Sequence, residues 1–155
     1  MVRETKTEAE FNELYGMLEE YFQELHGIDG HVRIQTPEMI RNEYVKNIFT
    51  DFYLITENGK TAGFVITGSG ENCHPCAQMY IEALYVKPAF RRKGTGTEAV
   101  REILKDTNSI CMYVLKKNTV AKKFWDKYTK DWTDWAKMYP KPPLENHLDW
   151  HIYIE

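Results

Sequence analysis

The chain has 155 residues, of which 43% are hydrophobic and 14% aromatic, and this size and composition are typical of one packed globular domain. Its net charge of −3, with acidic and basic residues interspersed along most of the chain, argues against nucleic-acid binding. No apolar run approaches the ~20 residues of a membrane span, and the N-terminus MVRETKTEAE lacks a signal peptide's apolar region. We therefore expect one cytoplasmic domain over residues 1–155 that does not bind a membrane.

The spacing of apolar and turn residues predicts helices and strands that are mixed along the whole chain. In chain order the predicted elements are a strand at 2–4, a helix from 7 to about 27, a helix from 36 to about 49, strands at 52–56, 62–67 and 79–86, a helix at 97–105, a strand at 110–115, a helix at 118–130, and strands at 132–139 and 148–154. Two signals are specific: Thr7 and Glu10 form a capping box, and Asn58-Gly59 predicts a hairpin turn. The pattern indicates an α/β or α+β domain of three layers around a mixed sheet.

The cysteines carry no clear function. Three cysteines are an odd number, which argues against a disulfide framework. Cys73 and Cys76 have the C-x-x-C spacing of metal and redox sites, but zinc would need further ligands at a matching spacing, and a redox dithiol is expected at a helix start. We expect two reduced loop thiols and no metal site, with metal or redox chemistry as the alternative.

The segment VKPAFRRKGTGT, residues 86–97, lies between a predicted strand and a predicted helix. Small residues let a ligand approach the backbone, and the unpaired N–H groups at a helix start attract anions. Arg91, Arg92 and Lys93 add positive charge, and arginine can bind a phosphate through two parallel hydrogen bonds. The segment therefore indicates a site for a phosphate-bearing ligand.

One interpretation of this segment is a dinucleotide site, because residues 94–99 match G-x-G-x-x-A. A Rossmann turn leaves its strand almost directly, whereas residues 88–93 intervene here. That motif also needs an acidic residue about twenty positions later, where the sequence has only Lys116 and Lys117. The dinucleotide interpretation is therefore disfavoured.

The segment more closely resembles the acetyl-CoA motif of the GNAT superfamily of N-acetyltransferases, V-x-P-x-x-R/Q-x-x-G-x-G/A. Five residues fill that motif without gaps: Val86, Pro88, Arg91, Gly94 and Gly96. Three more are similar to the superfamily's N-x-x-A-x-x-hydrophobic helix: Asn118, Ala121 and Phe124. The resemblance implies acetyl-CoA as co-substrate and a single three-layer α/β (α+β) domain, with a mixed, mostly antiparallel sheet of about seven strands and about four helices.

The resemblance also implies where the cofactor binds. The backbone of Tyr85 and Val86 would pair with the pantetheine arm, at a splay beside the strand 110–115. A backbone N–H near Leu84 or Tyr85 would polarise the thioester carbonyl. N–H groups of residues 91–97 would hold the pyrophosphate. The implied cofactor-binding residues are Leu84, Tyr85, Val86, Arg91, Arg92, Lys93, Gly94, Thr95, Gly96, Thr97, Asn118 and Phe124. Simpler roles stay open for some of them: solvated charge for Arg92 and Lys93, a helix cap for Asn118, and a Thr95-x-x-Glu98 capping box.

Acetyl transfer to an amine needs a deprotonated nucleophile, and Glu82 occupies a position where related small-amine acetyltransferases carry a base. On a regular strand Glu82 shares a face with Val86, although a bulge would change this; the alternative is an ordinary solvent-facing glutamate. Trp125 stands where many members carry a tyrosine acid. Tyr128 is the substitute candidate, with core packing as its alternative, and a thiolate can also leave without an acid.

The acceptor is expected to be a small-molecule or peptide amine. Acidic residues of the first helix and the following turn could attract a cationic amine, or could simply be a solvated face. The aromatic residues near the C-terminus could form an acceptor wall, a homodimer interface or core. The leading hypothesis is an N-acetyltransferase that works by direct attack in a ternary complex. A non-catalytic acyl-CoA-binding or regulatory module is the alternative, motivated by Trp125.

Overall fold

The computed structural model describes residues 1–44, 50–143 and 145–155. The described residues form seven strands and four α-helices: β1 (Val2–Glu4), α1 (Glu8–Ile28), α2 (Pro37–Tyr44), β2 (Thr50–Glu57), β3 (Lys60–Ser69), β4 (Met79–Val86), α3 (Thr95–Ile103), β5 (Ser109–Leu115), α4 (Thr119–Tyr128), β6 (Thr133–Asp134) and β7 (Leu148–Ile154). The predicted end of the second helix near residue 49 lies outside the described residues.

The strands form one mixed sheet in the order β1-β2-β3-β4-β5-β7-β6. Strands β4 and β5 are parallel, and the other neighbouring pairs are antiparallel. Helices α1 and α2 pack on one face through a core that includes Leu14, Leu18 and Ile40, whereas α3 and α4 pack on the other face through Val100 and Trp125. The predicted three-layer domain with about seven strands and four helices is thus confirmed.

The two specific local signals are also present. Glu10 N–H donates to the Thr7 side chain, and the Glu10 carboxylate accepts from Thr7 N–H, so the capping box begins α1. Asn58 and Gly59 have φ values of 51° and 75°, the left-handed conformations that a tight hairpin turn requires. The turn joins β2 to β3 with antiparallel pairing out to Thr50 and Gly68.

The predicted strand at 132–139 is mostly wrong. Only Thr133–Asp134 pairs with β7, and Trp135–Met138 forms a 3₁₀ helix. The Asp134 carboxylate explains the change, because its Oδ1 accepts from the N–H groups of both Ala136 and Ile152. A side chain that caps the following turn competes with continued strand pairing.

The expectation of reduced thiols at Cys73 and Cys76 is wrong for Cys73. Cys73 forms a disulfide with Cys111 of β5, and their Cα atoms lie 6.0 Å apart. An odd number of cysteines did not exclude one bridge between residues 38 positions apart. Cys76 is an exposed free thiol whose Sγ lies 3.1 Å from the Tyr139 hydroxyl. Among the described residues, no three His, Cys, Asp or Glu side chains gather in a way that could hold a metal ion.

The C-terminal aromatic residues belong to the core. Trp150 is buried beside the disulfide, and its indole N–H donates to Cys111 Sγ at 3.3 Å. Trp135 and Tyr139 pack around it, and Trp132 packs on the opposite face of the sheet. Within the described ranges, no helix is both long enough and apolar enough to cross a membrane.

Candidate active site

The candidate site lies where β4 and β5 separate. Within the described residues their parallel pairing consists of Met79 with Ile110 and Tyr80 with Cys111. Beyond these pairs the strands diverge toward Val86 and Leu115, and we call this opening the splay. A splay exposes backbone hydrogen-bonding groups that a continuous sheet would pair internally, so an extended ligand can bind there.

The register of β4 shows which groups face the splay. Lys87 N–H donates to Ala62 O of β3 at 2.7 Å, and residues 84–86 continue the antiparallel pairing with β3. Because backbone groups alternate in direction along a strand, the N–H and C=O groups of Leu84 and Val86 point toward β5. Of the two positions predicted for the oxyanion donor, Leu84 has its N–H directed toward the splay. The Tyr85 backbone is directed toward β3 instead, so the expected backbone contacts of Tyr85 with the cofactor are wrong.

The segment between β4 and α3 places backbone N–H groups beside the splay. Gly94 is the N-cap of α3 with a φ of 84°, and Arg92 also lies in the left-handed region with a φ of 61°. The first intrahelical bond is donated by Glu98 N–H to Gly94 O, so the N–H groups of residues 95–97 point out of the helix start. A Cβ at Gly94 would meet nothing within 4 Å, so the space beside the loop is open to a ligand.

Two further positions in this segment have distinct roles. A Cβ at Gly96 would lie 3.4 Å from the Phe124 ring and 3.5 Å from a Val86 methyl, so Gly96 lets α3 start close to both. Thr95 is buried, and its hydroxyl donates to the Glu57 carboxylate at 2.8 Å. The alternative of a Thr95-x-x-Glu98 capping box is therefore wrong.

The three basic residues divide into two kinds. Arg91 is half-buried and hydrogen-bonded within the protein. Its two Nη atoms donate to the Glu24 carboxylate at 2.7 and 2.8 Å, and Nε donates to Val86 O at 2.7 Å. Arg92 and Lys93 lie beside Gly94 with their side chains open to solvent. The Arg91 side chain is thus held by Glu24 and Val86, whereas those of Arg92 and Lys93, beside the helix start, make no such bonds with the described residues; cofactor binding by all three stays a prediction.

Asn118 caps α4 at the far side of the splay. Its Oδ1 accepts from Ala121 N–H at 3.1 Å, which confirms the cap. The cap uses the carbonyl oxygen of the side-chain amide and leaves the Nδ2 donors for another partner. Phe124 lies one turn into the same helix and contacts the α3 start through Gly96.

Glu82 lies on the α1–α2 face of the sheet, at a bulge. Ile66 pairs with Ala83 and Thr67 with Ile81, so Glu82 is the extra residue in β4. The expectation that Glu82 and Val86 share a face is therefore wrong: Val86 packs toward α3, whereas a Cβ placed at Gly68 would lie 3.0 Å from Glu82 Oε1. The bulge turns the carboxylate toward α2.

The surroundings of Glu82 favour its protonated form. Burial raises the pKa of the Glu82 carboxyl, the nearby charge of Glu43 raises it further, and a hydrogen bond with Thr50 opposes the shift. Glu43 and Thr50 belong to α2 and β2, so three elements meet at this carboxylate. A half-buried carboxyl with a raised pKa is suited to accept a proton near neutral pH.

Tyrosines line the same face of the sheet. Tyr80 and Tyr113, on β4 and β5, make an edge-to-face contact with ring centroids 6.0 Å apart at the narrow end of the splay. Burial, with Glu82 and Tyr113 nearby, raises the pKa of Tyr80 to about 12. The Tyr85 hydroxyl donates to Glu20 of α1 at 3.0 Å.

Trp125 and Tyr128 lie together on the other face of the sheet. Trp125 is 6% exposed and packs against Phe124 and Tyr128, with Trp132 next to them. Burial raises the pKa of the Tyr128 phenol, and Arg101 and Glu155 are the charged groups near it. The role of Tyr128 as a general acid stays a prediction, and this packing favours its core alternative.

The sequence did not indicate which residues contact Glu82, Thr95 and Arg91. Glu43, Thr50 and Glu57 belong to no motif, and in the sequence Glu24 is only one of several acidic residues of the first helix. Glu24 lies 67 positions from Arg91, and Glu57 lies 38 positions from Thr95. Contacts over such separations follow from the fold and have no local signal.

Comparison with known proteins assigns the chain to a family. Residues 11–130 match the profile of the acetyltransferase (GNAT) family, so the chain belongs to that family, whose co-substrate is acetyl-CoA. No curated protein matches the sequence.

Solved structures share the fold at low sequence identity. An acetyltransferase from Thermus thermophilus superposes with a TM-score of 0.68 at 14% identity, over 98% of this chain and 96% of that one. PaiA N-acetyltransferase from Thermoplasma acidophilum, in complex with coenzyme A, has a TM-score of 0.62 at 16% identity, over 100% and 99%. Diaminobutyrate acetyltransferase EctA from Paenibacillus lautus, in complex with L-2,4-diaminobutyric acid and coenzyme A, has a TM-score of 0.61 at 12% identity, over 99% and 95%.

Proposed function

We propose that this protein is an N-acetyltransferase, a single domain over residues 1–155, that moves the acetyl group of acetyl-CoA to a primary amine by direct attack in a ternary complex. The observation that carries the proposal is the position of Glu82. Its half-buried carboxylate with a raised pKa lies on β4 two residues from Leu84, whose N–H faces the splay. A base and an oxyanion donor are thus close together beside the place proposed for the thioester.

The residues around the splay fit acetyl-CoA. Backbone groups of Leu84 and Val86 would pair with the pantetheine arm, with Tyr85 between them on the strand. The outward N–H groups of the α3 start would hold the pyrophosphate, and the open space at Gly94 admits it. The exposed side chains of Arg92 and Lys93 would add charge, and the Asn118 amide would supply a donor from the other side.

The proposed chemistry needs few groups. The acceptor ammonium first loses one proton to bulk water, and the neutral amine nitrogen then forms a bond with the acetyl carbonyl carbon. Glu82 accepts the second proton from this nitrogen, directly or through water, as the bond forms. The Leu84 N–H stabilises the negative charge that develops on the carbonyl oxygen. The carbon–sulfur bond then breaks, and coenzyme A leaves as a thiolate, whose ordinary pKa of about 8.5 makes it a tolerable leaving group without a tyrosine acid.

The electrostatics of the acceptor side support a cationic amine. The Glu43 charge destabilises ionised Glu82, so a cationic acceptor beside the two carboxylates would relieve that repulsion. The diaminobutyrate held by the similar EctA structure is itself an amine. The acidic residues of α1 contribute less than the sequence suggested, because Glu20 and Glu24 bond to Tyr85 and Arg91.

A panel of polyamines, amino acids, aminoglycosides and peptides tests the proposal through release of the free thiol of coenzyme A. We expect turnover with at least one cationic amine, and thermal stabilisation of the protein by acetyl-CoA. Stabilisation without turnover over the whole panel would favour the non-catalytic acyl-CoA-binding module. The absence of nucleic-acid and membrane partners, a cytoplasmic location and a homodimer stay predictions.

A further inference from the structure

We propose that Arg91 and Glu24 form a positioning pair that sets how the pantetheine arm binds at the end of β4. The proposal rests on the proposed function, since it concerns the acetyl-CoA site. In this proposal the Arg91 side chain holds the backbone of β4 and Glu24 of α1, and it does not bind the phosphates. Neither residue is proposed to touch the reacting atoms.

Arg91 directs three of its five N–H donors at acceptors within the protein. Both Nη atoms donate to the two oxygens of Glu24, at 2.7 and 2.8 Å, and Nε donates to Val86 O at 2.7 Å. The guanidinium carbon also lies 5.5 Å from the centre of the Tyr85 ring. Only arginine combines a bidentate fork, a third donor and a flat face that can lie over an aromatic ring.

The bond to Val86 O has a consequence for the ligand. The Val86 carbonyl is one of the backbone groups that point into the splay, and Arg91 Nε uses one of its two lone pairs. The bond makes this carbonyl a less available acceptor for the arm than the Val86 N–H is as a donor. We therefore expect the arm to present a carbonyl oxygen to the Val86 N–H, which sets its register along β4.

Helix α1 supports this arrangement from the opposite side. Glu20 accepts from the Tyr85 hydroxyl at 3.0 Å, and Glu24, one turn later, holds Arg91. Two successive turns of α1 thus fix Tyr85, Val86 and the first residue of the phosphate-binding segment. The end of β4, where the strand has lost β5 as a neighbour, is the part that most needs such support.

A contribution to stability alone does not account for the geometry of the Arg91–Glu24 pair. The side chains of Arg91 and Glu24 are 36% and 39% exposed, and exposed ion pairs contribute about 0–1 kcal/mol. An ion pair that only added this small stabilisation would not need two parallel hydrogen bonds and a third bond to a backbone carbonyl. Direct phosphate binding by Arg91 would have to use the two N–H donors that these three bonds leave, with the Glu24 carboxylate beside the phosphate.

The test compares two donors, acetyl-CoA and S-acetylpantetheine, which shares the arm but lacks the nucleotide and its phosphates. Arg91→Lys removes the fork, Glu24→Gln weakens the pair, and Arg3→Lys is the matched control, because Arg3 forms an exposed ion pair with Glu10 of the same helix at 3.3 Å. Each variant is first checked by thermal unfolding and then assayed well below its Tm.

We expect Arg91→Lys to raise KM by about tenfold for both donors, with kcat at donor saturation changed less than about twofold and the amine KM unchanged. Glu24→Gln should shift KM in the same direction by less, and Arg3→Lys should leave both values unchanged. A KM rise for acetyl-CoA but not for S-acetylpantetheine would make Arg91 a phosphate ligand and overturn the proposal. Unchanged KM for both donors would also overturn it, whereas failure of the wild-type protein to bind acetyl-CoA would overturn the proposed function itself.

Discussion

Glu43 of α2 lies near enough to Glu82 of β4 for its charge to add to the burial that raises the pKa of the Glu82 carboxyl. The two carboxylates belong to different layers of the domain, and the bulge in β4 brings Glu82 toward α2. Like charges placed close together cost stability, so this arrangement is expected where function requires it.

Glu82→Gln is therefore expected to stabilise the protein. The folded-state pKa of Glu82 is raised, so its contribution to stability is fully present below the unfolded-state pKa, near 4.5, and is lost as the pH rises through the folded-state pKa. The variant should thus have a higher free energy of unfolding than the wild type at pH 7 and an equal one near pH 4. Urea unfolding at both pH values measures this, and a less stable variant at pH 7 would contradict it.

Two substitutions at Gly94 distinguish the effect of backbone strain in the loop from an effect on ligand binding. Gly94→Ala places a Cβ at a φ of 84°, which should lower the free energy of unfolding by about 1–2 kcal/mol, although the space around it is open. Gly94→Glu adds a negative charge beside the proposed pyrophosphate site and should also abolish most of the thermal stabilisation by acetyl-CoA. Gly94→Ala is the control for strain. Equal stabilisation of the two variants by acetyl-CoA would argue against a pyrophosphate at this loop.

Asn118 can be tested for its two roles with two substitutions. Asn118→Ala removes the cap on Ala121 N–H and should cost about 1 kcal/mol of stability. Asn118→Asp keeps the acceptor and the cap but removes the Nδ2 donors. We expect Asn118→Asp to fold with near wild-type stability and to bind acetyl-CoA several-fold more weakly in calorimetry. Unchanged affinity would restrict Asn118 to its capping role.

The disulfide offers a prediction on stability. Cys73 and Cys111 are 38 positions apart, and removing a bridge over a loop of that size should cost about 2–4 kcal/mol. Cys73→Ser and reduction of the wild type should lower the Tm similarly. Cys76→Ser is the matched control, since Cys76 is exposed and unbridged, and it should leave the Tm unchanged. A reductant-insensitive Tm would contradict the bridge.

The fold was largely predictable because its signals are local. The capping box at Thr7, the Asn58-Gly59 turn and the Asn118 cap each depend on residues within a few positions. The strand at Met79–Val86 was predicted at both ends, and the glycine segment after it indicated an anion site. Local chemistry of this kind does not depend on the rest of the fold.

The candidate site was predictable only in part, because the surroundings of its side chains depend on contacts between residues that are far apart in the sequence. The Arg91 side chain looks like a phosphate ligand in the sequence, and only the fold shows Glu24 beside it. The bulge that turns Glu82 is a property of its pairing with β3, and no residue in β4 indicates it. The disulfide was missed for a different reason, since counting cysteines does not determine which two are close.

The pH dependence of kcat/KM with the best amine of the panel, measured for the wild type and for Glu82→Gln, tests the central claim most directly. We predict that the wild-type rate rises through a pKa above the ordinary glutamate value of 4.5. Glu82→Gln should lose that limb and about 10²–10⁴ in kcat, while acetyl-CoA still stabilises it as well as the wild type. A variant that retains full activity and the same pH profile would show that Glu82 is not the base.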